Sequence, residues 1–147
     1  MKPHPIFRDW DIPKTHTLGN FVLKSLNISD NDRDFAAIME SVDNIRTAAP
    51  QLTWPEGLTL EKNLVDLAWH QREFEARRSF AWTMETPEGD YLGCLYIYPS
   101  ISGEKSADVA WWWKKGEEAN HTSFQKLLLT WLKSDEWPEI EYKKIVK

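Results

Sequence analysis

Tyr91-Leu-Gly-Cys-Leu-Tyr-Ile-Tyr98, a break holding Pro99 and Gly103, Ala107-Asp-Val-Ala-Trp-Trp-Trp113, and then Lys114-Lys-Gly-Glu-Glu-Ala-Asn-His-Thr-Ser-Phe124 decide how this chain folds. The two apolar runs are dense in β-branched and aromatic side chains, which suit a pleated, buried surface, and their spacing predicts a hairpin. From Phe124 the period changes. Phe124, Leu127, Leu128, Trp131 and Leu132 recur at helical spacing and predict an amphipathic helix. A strand that runs into a helix start brings together unpaired N–H groups and the positive end of the helix dipole, a common place to bind an anion.

On the N-terminal side, Phe80-Ala-Trp-Thr-Met-Glu85 alternates as a strand, and Pro87-Glu-Gly-Asp90 is a turn that joins it to Tyr91 as a second hairpin. Phe21 to Leu26 predicts the first strand. Phe35, Ile38, Met39, Val42 and Ile45 then form one helical stripe, and Pro50, Pro55 and Gly57 mark a loop. Thr59 is placed to cap a helix whose apolar face is Leu60, Leu64, Leu67, Gln71 and Phe74, widened by Val65 and Ala68. After Trp137-Pro138, the run from Ile140 to Val146 predicts a last strand. Residues 1–18, with three prolines, read as an extended N-terminal arm, and residues 19–147 as a single domain. The order β-α-α-β-β-β-α-β predicts an α+β fold: a mixed, mostly antiparallel sheet, with helices on both faces because both strand faces are apolar.

Eighteen basic against 23 acidic side chains give a net charge of −5, with the basic residues scattered, which disfavours nucleic acid as a partner. No segment approaches the ~20 apolar residues of a membrane span, so no membrane partner is expected. The N-terminus has no apolar run of signal-peptide length, and Cys94 is the sole cysteine; a cytoplasmic location is the expectation. Nine tryptophans suggest a core or cleft lined by large flat surfaces. No histidine or cysteine pair has zinc-ligand spacing. His4 and His16 read as residues of a solvated arm, His70 as a solvated or capping histidine, and Cys94 as a small buried hydrophobe.

The element order, with Gly93-Cys-Leu-Tyr-Ile-Tyr-Pro99 as third strand and Val109-Ala-Trp-Trp-Trp113 as fourth, resembles the GNAT superfamily of N-acetyltransferases over roughly residues 20–146. The resemblance implies transfer of an acetyl group from acetyl-CoA to a small-molecule or peptide amine. It implies that the fourth strand parts from the fifth near Trp111 to Trp113, and that backbone from Val109 through Trp111 to Trp113 pairs with the pantetheine arm. It also implies a pyrophosphate site at Asn120, His121, Thr122 and Ser123; on the residues alone, Thr122 or Ser123 reads first as a helix cap, and the resemblance brings the two readings level. The family signature is Gln or Arg, two residues, Gly, one residue, then Gly or Ala. The corresponding residues are Glu118-Ala-Asn-His-Thr-Ser123, which place a carboxylate in the first position and lack both glycines. A typical member also continues beyond the fifth strand into a helix that often carries a thiolate-protonating tyrosine; the expectation is that either another residue supplies that acid or the chemistry is lost.

Acetyl transfer needs a base, a donor for the acyl oxygen and a proton for the thiolate. Glu85 and Asp108 are the carboxylates expected nearest the reaction, each otherwise an exposed strand-end residue, and Tyr98 is the expected proton donor. Two readings follow: an acetyl-CoA-dependent N-acetyltransferase, or a GNAT-fold binding or structural protein with a tryptophan-rich cleft. Oligomeric state is open, with a homodimer among the expectations.

Overall fold

The computed structural model describes residues 2–144. Six strands form one sheet in sequence order: β1 (Thr15–Leu18), β2 (Phe21–Ser25), β3 (Phe80–Glu85), β4 (Tyr91–Pro99), β5 (Ser106–Trp113) and β6 (Glu141–Lys144). Neighbours are antiparallel except β5 and β6, which are parallel and joined by the crossover helix α4 (His121–Leu132). Helices α1 (Asn31–Glu40), α2 (Val42–Ala48) and α3 (Leu60–Glu75) fill the long connection from β2 to β3. The α+β fold with helices on both sheet faces therefore stands. The part of the last predicted strand beyond Lys144 lies outside the described residues.

The sheet divides the core in two. On the α4 face, Trp82, Leu95, Val109, Trp111 and Trp113 pack with Phe124, Leu128 and Trp131; on the other, Ala81, Cys94 and Trp112 pack with Ile38, Ile45 and Leu67. The alternation along β5 follows from the two-residue period of a strand. In β4 the period is broken once: Met84 faces Gly93 but Glu85 faces Tyr91, so Leu92 bulges and Tyr91 comes to lie on the same face as Cys94. Gly93 is required there. It has φ +155°, and a Cβ on it would lie 2.0 Å from the Trp112 carbonyl oxygen.

Three local readings are corrected. Residues 15–18, expected in the extended arm, form β1, because Thr15-His-Thr-Leu18 can alternate and Gly19, at φ +59°, allows a tight turn into β2. The rest of the arm is also held: His4 is buried, accepts from the Ile6 N–H and bonds the Ser100 carbonyl oxygen at 2.7 Å, while His16 stacks on Trp131. Second, the single helical stripe over 35–45 is two helices broken at Ser41, whose hydroxyl accepts the Lys115 N–H at 2.9 Å; Asp34, Ala37 and Ile38 are buried while Met39 is exposed. Third, Thr59 does cap α3, but that helix buries Asn63, Leu67 and Phe74 and leaves Leu60, Leu64 and Val65 exposed. In both helices a polar side chain is spent inward on the same network, which an apolar-periodicity reading cannot see.

Candidate functional site

A cavity of about 310 Å³ opens on the α1–α3 face of the sheet, over β4 and β5, with α1, α2, the 49–54 loop and α3 as its other walls. Its aromatic lining includes Trp54, Trp69, Tyr96, Tyr98 and Trp112, and among the described residues no lysine or arginine lines it. Tyr96 and Tyr98 stack in parallel, with ring centres 6.0 Å apart, as two-residue spacing on one strand face dictates. The Tyr96 hydroxyl accepts from Trp112 Nε1 at 3.0 Å. His70 and Asp66, one turn apart on α3, face the two tyrosines across the opening, with the His70 ring centre 5.5 Å from that of Tyr96. Neither the His70 nitrogens nor the Tyr98 hydroxyl has a hydrogen-bond partner among the described residues.

Burial sets the protonation states. It lowers the His70 pKa to about 4, so the imidazole is neutral near pH 7, and it raises that of Tyr98, so the phenol keeps its proton. Beneath the cavity, Asp34 is only 2% exposed and is fully engaged: Oδ1 accepts from the Tyr91 hydroxyl, and Oδ2 from Asn63 Nδ2 at 3.0 Å. Burial raises its pKa against the pull of those hydrogen bonds. Cys94 Sγ lies 2.8 Å from the Tyr91 hydroxyl, and desolvation raises the thiol pKa well above its ordinary value. This network fixes the floor of the cavity and offers no free nucleophile.

The other side of β5 carries the helix start. Trp111 and Trp113 point toward α4, and their indole N–H groups both donate to His121 Nδ1, at 3.3 and 3.2 Å. Two donors on Nδ1 leave the proton of a neutral imidazole on Nε2. Burial and then the Lys144 charge lower the His121 pKa, consistent with that neutral form. The pairing of β5 with β6 runs from Ser106↔Glu141 to Val109↔Lys144, so the predicted parting near Trp111 to Trp113 falls beyond the described end of β6.

The loop from Lys114 to Asn120 already uses its own donors. Lys115 N–H goes to Ser41, Glu117 N–H to the Lys114 carbonyl, and Asn120 N–H to the Glu117 carbonyl. Glu118 Oε1 accepts from the Gly116 N–H at 3.1 Å and from Asn44 Nδ2 at 2.7 Å; the same Asn44 nitrogen donates to the Trp113 carbonyl at 2.8 Å. The carboxylate thus sits where an incoming anion would seek its donors, and the Asn44 amide lowers its pKa. For a pyrophosphate, the helix end is suitable and the loop is not, until Glu118 releases Gly116.

Among the sequence-derived residues, Tyr98 lines the cavity, and Asp108 lies opposite it in the β4–β5 ladder with its side chain exposed on the same face. Val109, Trp111 and Trp113 pack toward α4. Asn120 precedes the helix but spends its amide on Glu117, and α4 begins at His121, so Thr122 and Ser123 lie inside its first turn rather than at a cap. Glu85 is not brought to the cavity. Its carboxylate meets Arg33 at 2.7 Å, Lys24 at 3.3 Å and the Thr83 hydroxyl at 2.6 Å, an ion-paired structural site. Sequence reading gave His70 a solvated or capping role and did not single out Asp66; their i, i+4 spacing was present, but only the packing of His70 against Tyr96 of β4 makes it meaningful.

No protein-family model matches the sequence, and no curated protein matches it. Solved structures do match in fold. The ribosomal L7/L12 alpha-N-protein acetyltransferase RimL, in complex with coenzyme A, aligns with a TM-score of 0.62 at 14% identity, over 84% of this chain and 70% of that one. The microcin C7 self-immunity acetyltransferase MccE, in complex with acetyl-CoA and AMP, aligns with a TM-score of 0.63 at 11% identity, over 86% and 71%. An acetyltransferase from Salmonella typhimurium that modifies the N-terminal serine of L7/L12 aligns with a TM-score of 0.59 at 11% identity, over 81% and 67%. At such identities the likeness is one of architecture: this chain has the fold of the GNAT acetyltransferases.

Proposed function

We propose that this protein is an acetyl-CoA-dependent N-acetyltransferase acting on a small-molecule or peptide amine. The observation that carries the reading is the placement of a cavity on one face of β5, holding a neutral imidazole without a hydrogen-bond partner among the described residues, and of a helix N-terminus on the other face. The solved complexes of RimL with coenzyme A and of MccE with acetyl-CoA, which share this architecture, support it.

Acetyl-CoA would supply an activated acyl carbon. The backbone from Val109 through Trp111 to Trp113 and the first turn of α4, with His121, Thr122 and Ser123, are the groups placed to hold it, once Glu118 gives up Gly116. In the cavity, His70 is the base we assign. With a pKa of about 4 it is too weak to strip an ammonium, so the substrate attacks as the fraction that has already lost a proton to water; once that nitrogen has bonded to the acyl carbon its N–H is far more acidic, and a neutral imidazole can take that second proton. Tyr98 keeps its proton through burial and is the donor we assign for the departing sulfur; Asp108, beside it and exposed, can return protons from solvent.

Release of free thiol from acetyl-CoA in the presence of a panel of amines tests the reading. We expect turnover that falls about 100-fold or more in His70→Gln. Absence of thiol release above background hydrolysis, together with no heat of binding on titration with CoA, would overturn it. Those two results would leave the second reading, a ligand-binding protein of this fold, which the Glu118 carboxylate lodged in the loop specifically favours.

A further inference from the structure

The geometry points to a substrate class for the cavity: we infer that it binds a small monoamine with a flat apolar body, the ammonium held at Asp66 and the body stacked among Tyr96, Tyr98, Trp54 and Trp112. The inference rests on the acetyltransferase reading only for what happens after binding.

Charge and size set the class. With no lysine or arginine among the described residues of the lining, an anionic ligand would be desolvated without a partner there. Of the two lining carboxylates, Asp34 is sealed beneath the floor by Tyr91 and Asn63, while Asp66 stands at the opening without an ion-pair partner among the described residues. One available carboxylate suits one positive charge. A polyamine would leave its further ammonium groups facing Leu26, Ile38, Ile45 and Leu67, a burial of charge that apolar walls do not offset. Aromatic faces around the opening add attraction for a cation and flat contact for a ring. The volume, about 310 Å³, lies at the small end of ligand pockets, which favours a single small molecule over a peptide backbone. His70, one turn along α3 from Asp66, lines the same cavity.

Calorimetric titration of the full chain without acetyl-CoA tests this with three probes: 2-phenylethylamine, its neutral counterpart 2-phenylethanol, and spermidine. We expect 2-phenylethylamine to bind about tenfold or more tighter than either of the others, with most of its advantage over the alcohol lost in Asp66→Asn. Asp66 is exposed, so the variant should fold; an unchanged melting temperature checks that. Trp69→Ala, at a half-exposed wall position, should weaken both phenyl probes alike. Equal affinity for amine and alcohol, tighter binding of spermidine, or no saturation by 2-phenylethylamine at millimolar concentration would each overturn the inference. The outcomes separate from those of the acetyltransferase reading: binding of 2-phenylethylamine without turnover keeps the substrate class and removes the activity, while turnover of spermidine alone does the reverse.

Discussion

Replacing Gly93 by alanine should damage this protein more than any other single methyl group added to a glycine. The new Cβ would sit 2.0 Å from the Trp112 carbonyl oxygen and 2.9 Å from Met84 Cε. The methionine tip can swing aside, but the carbonyl belongs to the neighbouring strand. Reaching even the 3.0 Å limit of real contacts requires β4 and β5 to separate by about 1 Å at that point. Overpacking of this kind costs about 1–3 kcal/mol, and weakening one or two ladder hydrogen bonds adds about 0.5–1.5 kcal/mol each. A loss of about 2–5 kcal/mol follows, which for a chain of this length lowers the melting temperature by roughly 5–15 °C. Thermal unfolding by circular dichroism measures it, with Gly103→Ala as control: that glycine also has a positive φ, +85°, but no atom within 4 Å of the added Cβ. If Gly93→Ala melts no lower than Gly103→Ala, the steric argument for the bulge is wrong, and with it the account of why Tyr91 and Cys94 share a face.

Leu128→Ala, at a fully buried position against Trp111 and Trp113, should cost about 2–5 kcal/mol in denaturant unfolding; Leu127→Ala, half-buried, should cost clearly less, and equal losses would misplace the face of α4. Glu118→Gln should tighten CoA binding by up to about fivefold at low salt and by less at moderate salt, because a screened negative charge leaves the loop; calorimetry showing weaker binding would mean that the carboxylate helps rather than blocks. His70 has its folded pKa lowered to about 4 from an unfolded value near 6.5. Its contribution to stability is therefore whole above pH 6.5 and lost as pH falls toward 4, so His70→Gln should flatten stability against pH across that window. Glu85, where burial raises the pKa but Thr83 and Arg33 more than reverse it, gives a second loss on further acidification, as pH falls from about 4.3 through its lowered folded value. Glu85→Gln should remove that second step and leave the first.

Strand order, the two hairpins and the crossover to α4 were legible because each rests on local chemistry: alternation in Phe80 to Glu85, the Pro87–Asp90 turn, the helical period after Phe124. What was not legible depends on partners distant in sequence. Asp34 and Asn63 look like exposed helix residues until Asp34 is seen to accept from both Tyr91 and Asn63, so the buried faces of α1 and α3 were right at Ile38, Leu67 and Phe74 and wrong at Met39, Leu60 and Leu64. Glu85 looked like a strand-end carboxylate near a site, and only its contacts with Arg33 and Lys24 reveal an ion pair. His70 failed for the opposite reason: a lone histidine on a helix carries no signal until β4 brings two tyrosines beside it.

Asn44 belongs to α2, whose Ile45 and Ala48 wall the cavity, and its amide holds both the Trp113 carbonyl at the end of β5 and Glu118 in the loop that leads to α4. One side chain therefore spans the two halves of the site. A ligand that drew Glu118 out of the loop would leave Asn44 with a single acceptor and loosen a wall of the cavity. Thermodynamic reciprocity then requires that a molecule filling the cavity alter affinity at the helix end by the same factor. In a protein of this design, the coupling between two ligands would rest on a single amide group, and Asn44→Ala would make the two binding events independent.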